Sequence, residues 1–350
     1  MKFSAHKYSP VLCALLLLVG CKGAVPSNKT ADRVIEDSAG RQIGVPTSIN
    51  RVLAAGSPAA VFVYTLAPEM LVGWPRSPLP EAGRFLPAEF MALPELGRLN
   101  SRGGSANLEV VLRAEPDLIL DYGTLSPSYV SLADRVQKQT GIPYVILDGS
   151  FEGIPAAYRK LGEILGLEQR AEELATYAEG VIGDMRAARE KARGNGPSVY
   201  LARGSDGLET GRSSALNAEL FGFVGARNVA GGGKGLAKIS LENLLYWDPT
   251  HIVTIDGTTR DRVVGDERWA ALAAVREDRV HLAPCLPFGW IDRPPSVNRL
   301  MGVRWLMGIF YPGSVADLSK EVATFYRLFY RYELNARELS ELLASREVQR

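Results

Sequence analysis

Cysteine is scarce in this sequence of 350 residues, which contains only Cys13, Cys21 and Cys285. Cys13 lies inside a short apolar N-terminal run, and Cys21 lies at its end. If that run is a cleaved leader and Cys21 is acylated, Cys285 alone remains, which excludes an intramolecular disulfide. We therefore expect Cys285 to be a small buried apolar residue, although contact with a ligand stays open.

Histidine is equally scarce, with His6, His251 and His281 as its three residues. His251 lies inside a predicted strand, where a buried imidazole is expected, whereas His281 lies near a strand end, where ligand contact stays open. A bare Zn²⁺ or Mn²⁺ site needs several converging His, Cys or carboxylate ligands. The sequence has no such cluster, so it predicts no resident metal and no cofactor, and it disfavours histidine-ligated haem.

Long apolar runs are absent beyond Val11–Gly20. This run is about half as long as the roughly 20 residues that a membrane-spanning helix needs. Because Lys2 and Lys7 precede it, the run indicates a secretory leader over residues 1–20.

The leader ends in Leu18-Val19-Gly20-Cys21, which resembles the lipobox of a bacterial lipoprotein. The sequence therefore predicts a lipid on Cys21, and two or three acyl chains would hold the protein firmly on a membrane. Residues 21–31 are small and polar and are expected to form a flexible tether. The protein is thus expected to be extracytoplasmic and membrane-anchored, in the periplasm or at the cell surface.

An excess of charge of either sign is also missing, since the formal net charge is +1. A nucleic-acid partner would require a clustered basic surface, so none is expected. The sequence has no HExxH, no GxSxG and no phosphate-binding loop. We therefore expect a protein that is not an enzyme.

What the sequence does contain is an alternation of strand and helix signals that predicts an α/β fold with parallel sheets. A hairpin is predicted to turn at Ala39-Gly40, a strand over 70–75, and one helix over 168–193. A chain of 350 residues is longer than a single hydrophobic core usually organises, so two domains are expected. We predict a first lobe over 32–153, a helical linker over 154–194 and a second lobe over 195–345.

Two segments of the sequence repeat each other at a constant offset of 133 residues. NLEVVL at 107–112 is followed by Pro116, and SLENLL at 240–245 is followed by Pro249. Asn107 and Ser240 are predicted helix N-caps. Glu109 and Glu242 follow in the first helical turn, where the helix dipole stabilises a carboxylate. The repeat predicts two lobes of similar construction.

The lipobox, the hairpin, the two repeats and the single long helix together resemble the periplasmic binding proteins for iron complexes and vitamin B12. The resemblance covers roughly residues 33–335. It implies two Rossmann-like lobes joined by one long backbone helix, with the ligand in the cleft between them. It also implies a monomer that delivers a metal-containing small molecule to the permease and ATPase complex of an ABC importer. In the vitamin B12 receptors of this group, a glutamate on each lobe docks onto permease arginines, a role that would fall to Glu109 and Glu242.

Ligands of parallel α/β lobes meet the loops at the carboxyl ends of strands. Six residues in such loops are candidates for ligand contact. Trp290 could stack on a planar ligand, Tyr122 could donate a hydrogen bond or bind a hard metal, and the arginines could pair with anionic oxygens. The set is Ser57, Arg76, Tyr122, Arg203, Trp290 and Arg293.

The sequence leaves the identity of the ligand open. A ferric siderophore, a corrinoid, a nickel chelate and a molybdate-like oxyanion are all compatible with it. An alternative function is a lipid-anchored protein that binds or scavenges a metal oxyanion or metallophore without a dedicated transporter.

Overall fold

The computed structural model describes residues 32–100, 108–192, 196–233 and 235–344. The predicted leader, the tether with Cys21, and the predicted N-cap Asn107 lie outside these ranges. Within them, no helix combines the length and apolarity needed to cross a membrane.

The first lobe opens with a hairpin and continues with a parallel three-stranded sheet. The hairpin turns at Gly40, which adopts a positive φ of 75°, so the predicted turn is confirmed. The apolar strands of the sheet are buried on both faces, as is usual in parallel sheets. The elements are β1 (Arg33–Glu36), β2 (Gln42–Val45), β3 (Val52–Ala54), α1 (Ser57–Leu66), α2 (Ala88–Met91), α3 (Leu108–Ala114), β4 (Leu118–Gly123), α4 (Pro127–Thr140) and β5 (Tyr144–Asp148), with sheet order β3-β4-β5.

The strand predicted over 70–75 does not form, and the prediction was wrong there. Leu71 makes one isolated bridge to Val52, and Trp74 makes another to Glu95. A short 3₁₀ turn at Pro68–Met70 leads into this segment, and Pro75 follows it without an N–H to continue a ladder.

One long helix joins the lobes. Helix α6 (Glu168–Ala192) has 25 residues, or about 38 Å at 1.5 Å per residue. It packs against α5 (Ile154–Leu165), and a Cβ added at Gly162 would lie 2.4 Å from the Cβ of Ala171. Glycine therefore allows these two helices to approach closely, and the helix predicted over 168–193 is confirmed.

The second lobe contains a parallel four-stranded sheet in the order β11-β10-β6-β8 and a small antiparallel pair, β7-β9. Its strands are β6 (Ser198–Ala202), β7 (Glu209–Gly211), β8 (Arg227–Asn228), β9 (Leu236–Lys238), β10 (His251–Thr254) and β11 (Val280–Leu282). Its helices are α7 (Glu219–Phe223), α8 (Leu241–Trp247), α9 (Gly257–Gly265), α10 (Ala273–Arg276), α11 (Arg299–Phe310), α12 (Leu318–Tyr330) and α13 (Ala336–Ala344).

The internal repeat is confirmed by the positions of the elements. Helices α3 and α8 both have seven residues, and their ends are separated by 133 positions. The strands β4 and β10 begin at the same offset. Even the left-handed turn between helix and strand is repeated, at Glu115 with φ 45° and at Asp248 with φ 37°. The two lobes therefore share one helix–turn–strand unit.

The last helices of the chain return to the first lobe. Arg331 donates a 3.1 Å hydrogen bond to the carbonyl of Leu66, and Tyr326 packs edge-on against Phe85 at 5.5 Å. One continuous apolar cluster contains side chains of the hairpin and of α1, α5, α6, α11 and α12. Helix α12 belongs to the range predicted as the second lobe, but it packs on the first lobe.

Two histidines form a pair on neighbouring strands of the second lobe. His251 Nδ1 lies 2.9 Å from His281 Nε2, and the rings also contact Phe310 and Trp305. Burial, followed by the nearby His281 and Arg279, lowers the pKa of His251 from 6.5 to about 4. The fold therefore favours a neutral imidazole at this position.

Because the pKa of His251 is lower in the folded state, its contribution to stability is complete above pH 6.5 and is lost as the pH falls toward 4. A His251→Gln variant should lose less stability than the wild type between pH 7 and pH 4.5. We expect a difference of about 1–2 kcal/mol for this half-buried ring. Urea unfolding of both proteins at the two pH values measures it, and identical losses would contradict the prediction.

Candidate ligand-binding cleft

The carboxyl ends of the parallel strands of the two lobes adjoin each other. Ser296 of the second lobe donates a 2.8 Å hydrogen bond to the carbonyl of Pro58, just after β3. The backbone N–H of Phe151, just after β5, donates a 2.9 Å bond to the Glu219 carboxylate. These bonds cross between the lobes and form the floor of a cleft in which loops of both sheets meet.

A single arginine crosses this floor. Arg299, at the start of α11, has no exposed surface. It donates to the carbonyls of Gly149 at 2.6 Å, Ser296 at 3.0 Å and Leu216 at 3.1 Å, and it pairs with the carboxylate of Glu219. A buried charge needs such complete pairing. Arg299 therefore joins the end of β5 in the first lobe to two segments of the second.

Tyr122, a predicted ligand contact, lies beside this arginine on β4. Its ring stacks on Phe62 with 4.3 Å between centroids, and its surface is buried. Burial raises the pKa of Tyr122 to about 12, and the Arg299 charge partly opposes the rise. The phenol is thus a neutral group near the cleft floor. Tyr122 has almost no exposed surface in this conformation, and its contact with a ligand remains a prediction.

Arg203 follows β6 and belongs to a polar network of the second lobe. Its Nη1 lies 2.6 Å from the Asp292 carboxylate, to which Asn217 also donates at 3.2 Å. Its Nε lies 3.7 Å from Glu209, which is too far for a hydrogen bond, and it is buried without an acceptor among the described residues. Arg203 is therefore oriented by its neighbours, and its Nε is a buried donor without a hydrogen bond among the described residues.

Arg293 lies nearer to solvent, beside the strand end of β10. Its guanidinium is 3.0 Å from the Asp256 carboxylate and about half exposed. The Thr258 hydroxyl, followed by Arg293, holds the pKa of Asp256 down at about 2. The Arg293 backbone adopts a φ of 69°, an unusual value for a residue with a side chain. Arg293 thus presents a cation at the rim of the cleft.

Trp290 lies in the same loop but faces the core. The residue is fully buried within the main apolar cluster. A Cβ added at Gly302 would lie 2.1 Å from the carbonyl oxygen of Trp290, so α11 packs very closely on the loop. Stacking of Trp290 on a ligand stays a prediction, and this conformation offers the ring no exposed surface.

Ser57 and Arg76 lie on the first lobe. Ser57 begins α1 after β3, and Arg98 donates to its hydroxyl at 3.4 Å. Ser57 therefore lies at a strand end that adjoins the second lobe. Arg76 is exposed in the loop after Trp74, near the carboxylate of Glu95.

Next to Ser57, the buried carboxylate of Asp121 accepts hydrogen bonds from Asn100 and Tyr144. Asn100 donates to Asp121 at 2.9 Å, and the Tyr144 hydroxyl donates to it at 3.2 Å. Burial raises the pKa of Asp121, while these two hydrogen bonds oppose the rise. A Cβ added at Gly56 would lie 2.7 Å from the Asn100 amide, so glycine is needed for this close packing.

Cys285 is exposed at the end of β11, and the expectation that it would be buried was wrong. The residue lies in the loop after the strand instead of in the apolar ladder. His281 pairs with His251 and is itself buried. Neither histidine is joined with further ligands, since the described ranges contain no group of three His, Cys, Asp or Glu that could hold a metal ion.

A separate groove of about 1000 Å³ lies between α6, the end of α11 and the start of α12. It is lined by Asp184, Arg304, Tyr311 and Glu321, among others, and none of the predicted ligand residues contributes to it. The predicted ligand residues therefore do not line this groove.

Sequence analysis does not single out Arg299, Glu219, Asn217 or Asp121 as site residues. Arg299 gives one usable signal, because the two arginines at 299 and 304 are the charged residues of the otherwise apolar segment RLMGVRWLMG, and arginine in such a segment predicts a buried, paired group. The others contact residues that lie far away in the chain, and no local pattern reveals them.

The sequence profile of the periplasmic binding protein family matches residues 95–285. The chain therefore belongs to this family. Molybdate-binding protein MolA of Haemophilus influenzae is 27% identical over 355 aligned residues, which cover 90% of this chain and 96% of MolA. The ABC transporter substrate-binding lipoprotein YvrC of Bacillus subtilis is 23% identical, over 88% of this chain and 96% of YvrC.

Solved structures agree with this family. An ABC transporter solute-binding protein from Sulfurospirillum deleyianum superposes with a TM-score of 0.81 at 27% identity, over 89% of this chain and 98% of that one. These relatives are solute-binding proteins and not enzymes. The chain is accordingly an extracytoplasmic solute-binding protein of an ABC transporter.

Replacing Arg299 by Met should destabilise the protein strongly, because Glu219 would be left without its cation inside the lobe contact. We expect a loss of about 3–5 kcal/mol in urea unfolding. Removing both charges in Arg299→Met/Glu219→Gln should recover part of that loss.

Arg304→Met is the matched control, because Arg304 lies on the same helix and its partners Asp184 and Glu321 are partly exposed. Arg304 is also buried, but its two carboxylate partners can be hydrated once it is removed, so its loss should be smaller, about 1–2 kcal/mol. Equal losses for the two single variants would show that Arg299 has no special role at the lobe contact.

Proposed function

We propose that this member of the family captures a metal species whose metal is already coordinated, either a chelate or an oxyanion, and delivers it to an ABC permease. The observation that carries this proposal is the pair of arginines, Arg203 and Arg293, at the strand ends of the second lobe. Guanidinium groups suit anionic oxygens and repel bare cations.

The donor set supports a ligand that brings its own coordination shell. The described residues contain no three-ligand metal group, so a naked ion would lack partners there. Arg203 keeps a buried Nε donor, and Ser57 and Arg98 add a hydroxyl and a further cation on the opposite lobe. Donors of this type bind oxyanions or the carboxylate and hydroxamate oxygens of a chelate.

The names of relatives favour the same class. MolA is named for molybdate, and a Pectobacterium vitamin B12-binding protein is 30% identical over 35% of this chain. Both ligands are metal species whose metal is already coordinated. The present proposal therefore includes an oxyanion on equal terms with a chelate.

Isothermal titration of the purified protein with molybdate, tungstate, a ferric hydroxamate and cobalamin tests the proposal. We expect one of them to bind with a Kd in the micromolar range or tighter. Arg203→Met and Arg293→Met should each weaken that binding by about tenfold or more, because each removes a charged donor.

Arg268→Met is the matched control, because Arg268 is also an ion-paired arginine of the second lobe but is highly exposed. The Arg268→Met variant should bind the ligand with the affinity of the wild type. Tighter binding of bare Ni²⁺ than of all four probes would contradict the proposal.

Delivery is proposed to use Glu109 and Glu242 as contacts for basic groups of the permease. Both carboxylates are exposed and lie at equivalent positions of α3 and α8. In cells, a Glu109→Arg/Glu242→Arg variant should abolish uptake of the identified ligand while ligand binding in vitro is unchanged. Wild-type uptake by this variant would refute the docking role.

The same cells test the predicted lipid anchor. The double glutamate variant should stay in the membrane fraction, as a lipid on Cys21 predicts. A Cys21→Ser variant should move to the soluble fraction, and its retention on the membrane would contradict the anchor.

A further inference from the structure

The exposed surfaces of α3 and α8 share an apolar residue next to the glutamate. Leu112 is 43% exposed and Leu245 is 38% exposed, each three positions after Glu109 or Glu242. Residues three apart in a helix lie on the same face. The residue immediately before each leucine, Val111 or Leu244, is fully buried. The two lobes therefore display the same acidic and apolar combination outward.

The next position differs between the lobes. In α3 it is Arg113, which pairs with Glu109 at 2.7 Å on the exposed surface. In α8 it is Tyr246, which is 87% exposed. Glu242 instead lies near its own backbone N–H and the Ser240 hydroxyl, which lower its pKa. One face is thus locally neutral, whereas the other is acidic and aromatic.

An exposed tyrosine next to an exposed leucine needs an explanation in a monomer. Single exposed apolar residues are ordinary, but Leu245 and Tyr246 are adjacent and lie beside a carboxylate that no basic side chain pairs among the described residues. Tyrosine and leucine together supply apolar area for an interface, and tyrosine is enriched among residues that dominate binding energy.

We propose that Glu109, Leu112 and Arg113 form a weak docking face and that Glu242, Leu245 and Tyr246 form a strong one, both for the permease of the importer. This inference rests on the proposed function, since it assumes that the partner is that permease. The matching faces fit a partner with two related sites, each offering a basic group next to an apolar surface.

Charge and area both favour the face on α8. A basic group of the partner is attracted by Glu242 alone, whereas at α3 it also meets the positive charge of Arg113. The ring of Tyr246 can also stack against an arginine of the partner. The exposed Glu109–Arg113 pair is weak, so Arg113 lowers affinity through repulsion of the partner more than through competition for Glu109.

The test measures binding of the purified full chain to the permease–ATPase complex of its importer in lipid nanodiscs. Leu245→Ser and Tyr246→Ser should each weaken binding by about tenfold, and Leu112→Ser by about threefold. Arg113→Ser should strengthen binding by a few-fold. All four positions are exposed, so unchanged thermal unfolding is expected for each variant.

Val264→Ser and Val34→Ser are matched controls, because both residues are exposed apolar side chains on other elements. Wild-type affinity is expected for both. Wild-type affinity of Leu112→Ser and Leu245→Ser would overturn the apolar part of the proposal. Equal losses at Leu112 and Tyr246, or weaker binding of Arg113→Ser, would overturn the inequality of the faces.

Failure of the proposed function gives a different result. In that case the wild type would not bind the permease complex, or Glu109→Arg/Glu242→Arg would bind it like the wild type. Either outcome removes the docking partner and the present inference with it. Loss of binding in the double variant, together with no effect of the leucine variants, rejects only the present inference.

Discussion

The contact between Arg299 and the end of β5 is the interaction on which the arrangement of the cleft depends. The guanidinium satisfies carbonyls from the first lobe and from two segments of the second, and its charge is balanced by Glu219. The same carboxylate accepts the backbone N–H of Phe151, so one ion pair holds both lobes at the level where their strands end. A buried ion pair is weak evidence for net stability. Its effect here is on geometry, because it fixes the distance between the two rows of ligand loops.

The helices that connect the two lobes are closely packed, which makes the connection stiff. Helix α6 runs between the lobes without a break, and α12 returns to pack on the first lobe through Tyr326 and Phe85. One apolar cluster continues through these helices, so a large hinge motion would have to open a packed core. Small movements of the loops are more readily accommodated. Arg293 at the exposed rim has more freedom to respond to a ligand than Arg299 on the floor.

The chemistry of the cleft follows from this division between floor and rim. The floor is buried, with Arg299 fully paired and Tyr122 present as a neutral phenol. Two ion-paired guanidinium groups lie further toward solvent, Arg203 with Asp292 and the more exposed Arg293 with Asp256. The repeat unit of helix, left-handed turn and strand also supplies an exposed helix surface on each lobe.

Several helices and strands, the repeat and the class of protein could be predicted from the sequence, although the strand expected over 70–75 does not form. The hairpin, the 25-residue helix and the 133-residue offset could be predicted because each depends on residues close together in the chain, through periodicity, capping and turn chemistry. Which candidate side chains are exposed depends on tertiary packing. Trp290 lies in the same loop as Arg293, and Tyr122 lies near the end of β4. Both are buried, whereas the side chain of Arg293 is about half exposed. Likewise, Arg299 meets its partners across separations of 80 and 150 residues. Burial and pairing of this kind depend on how distant segments pack together, and no local pattern encodes that.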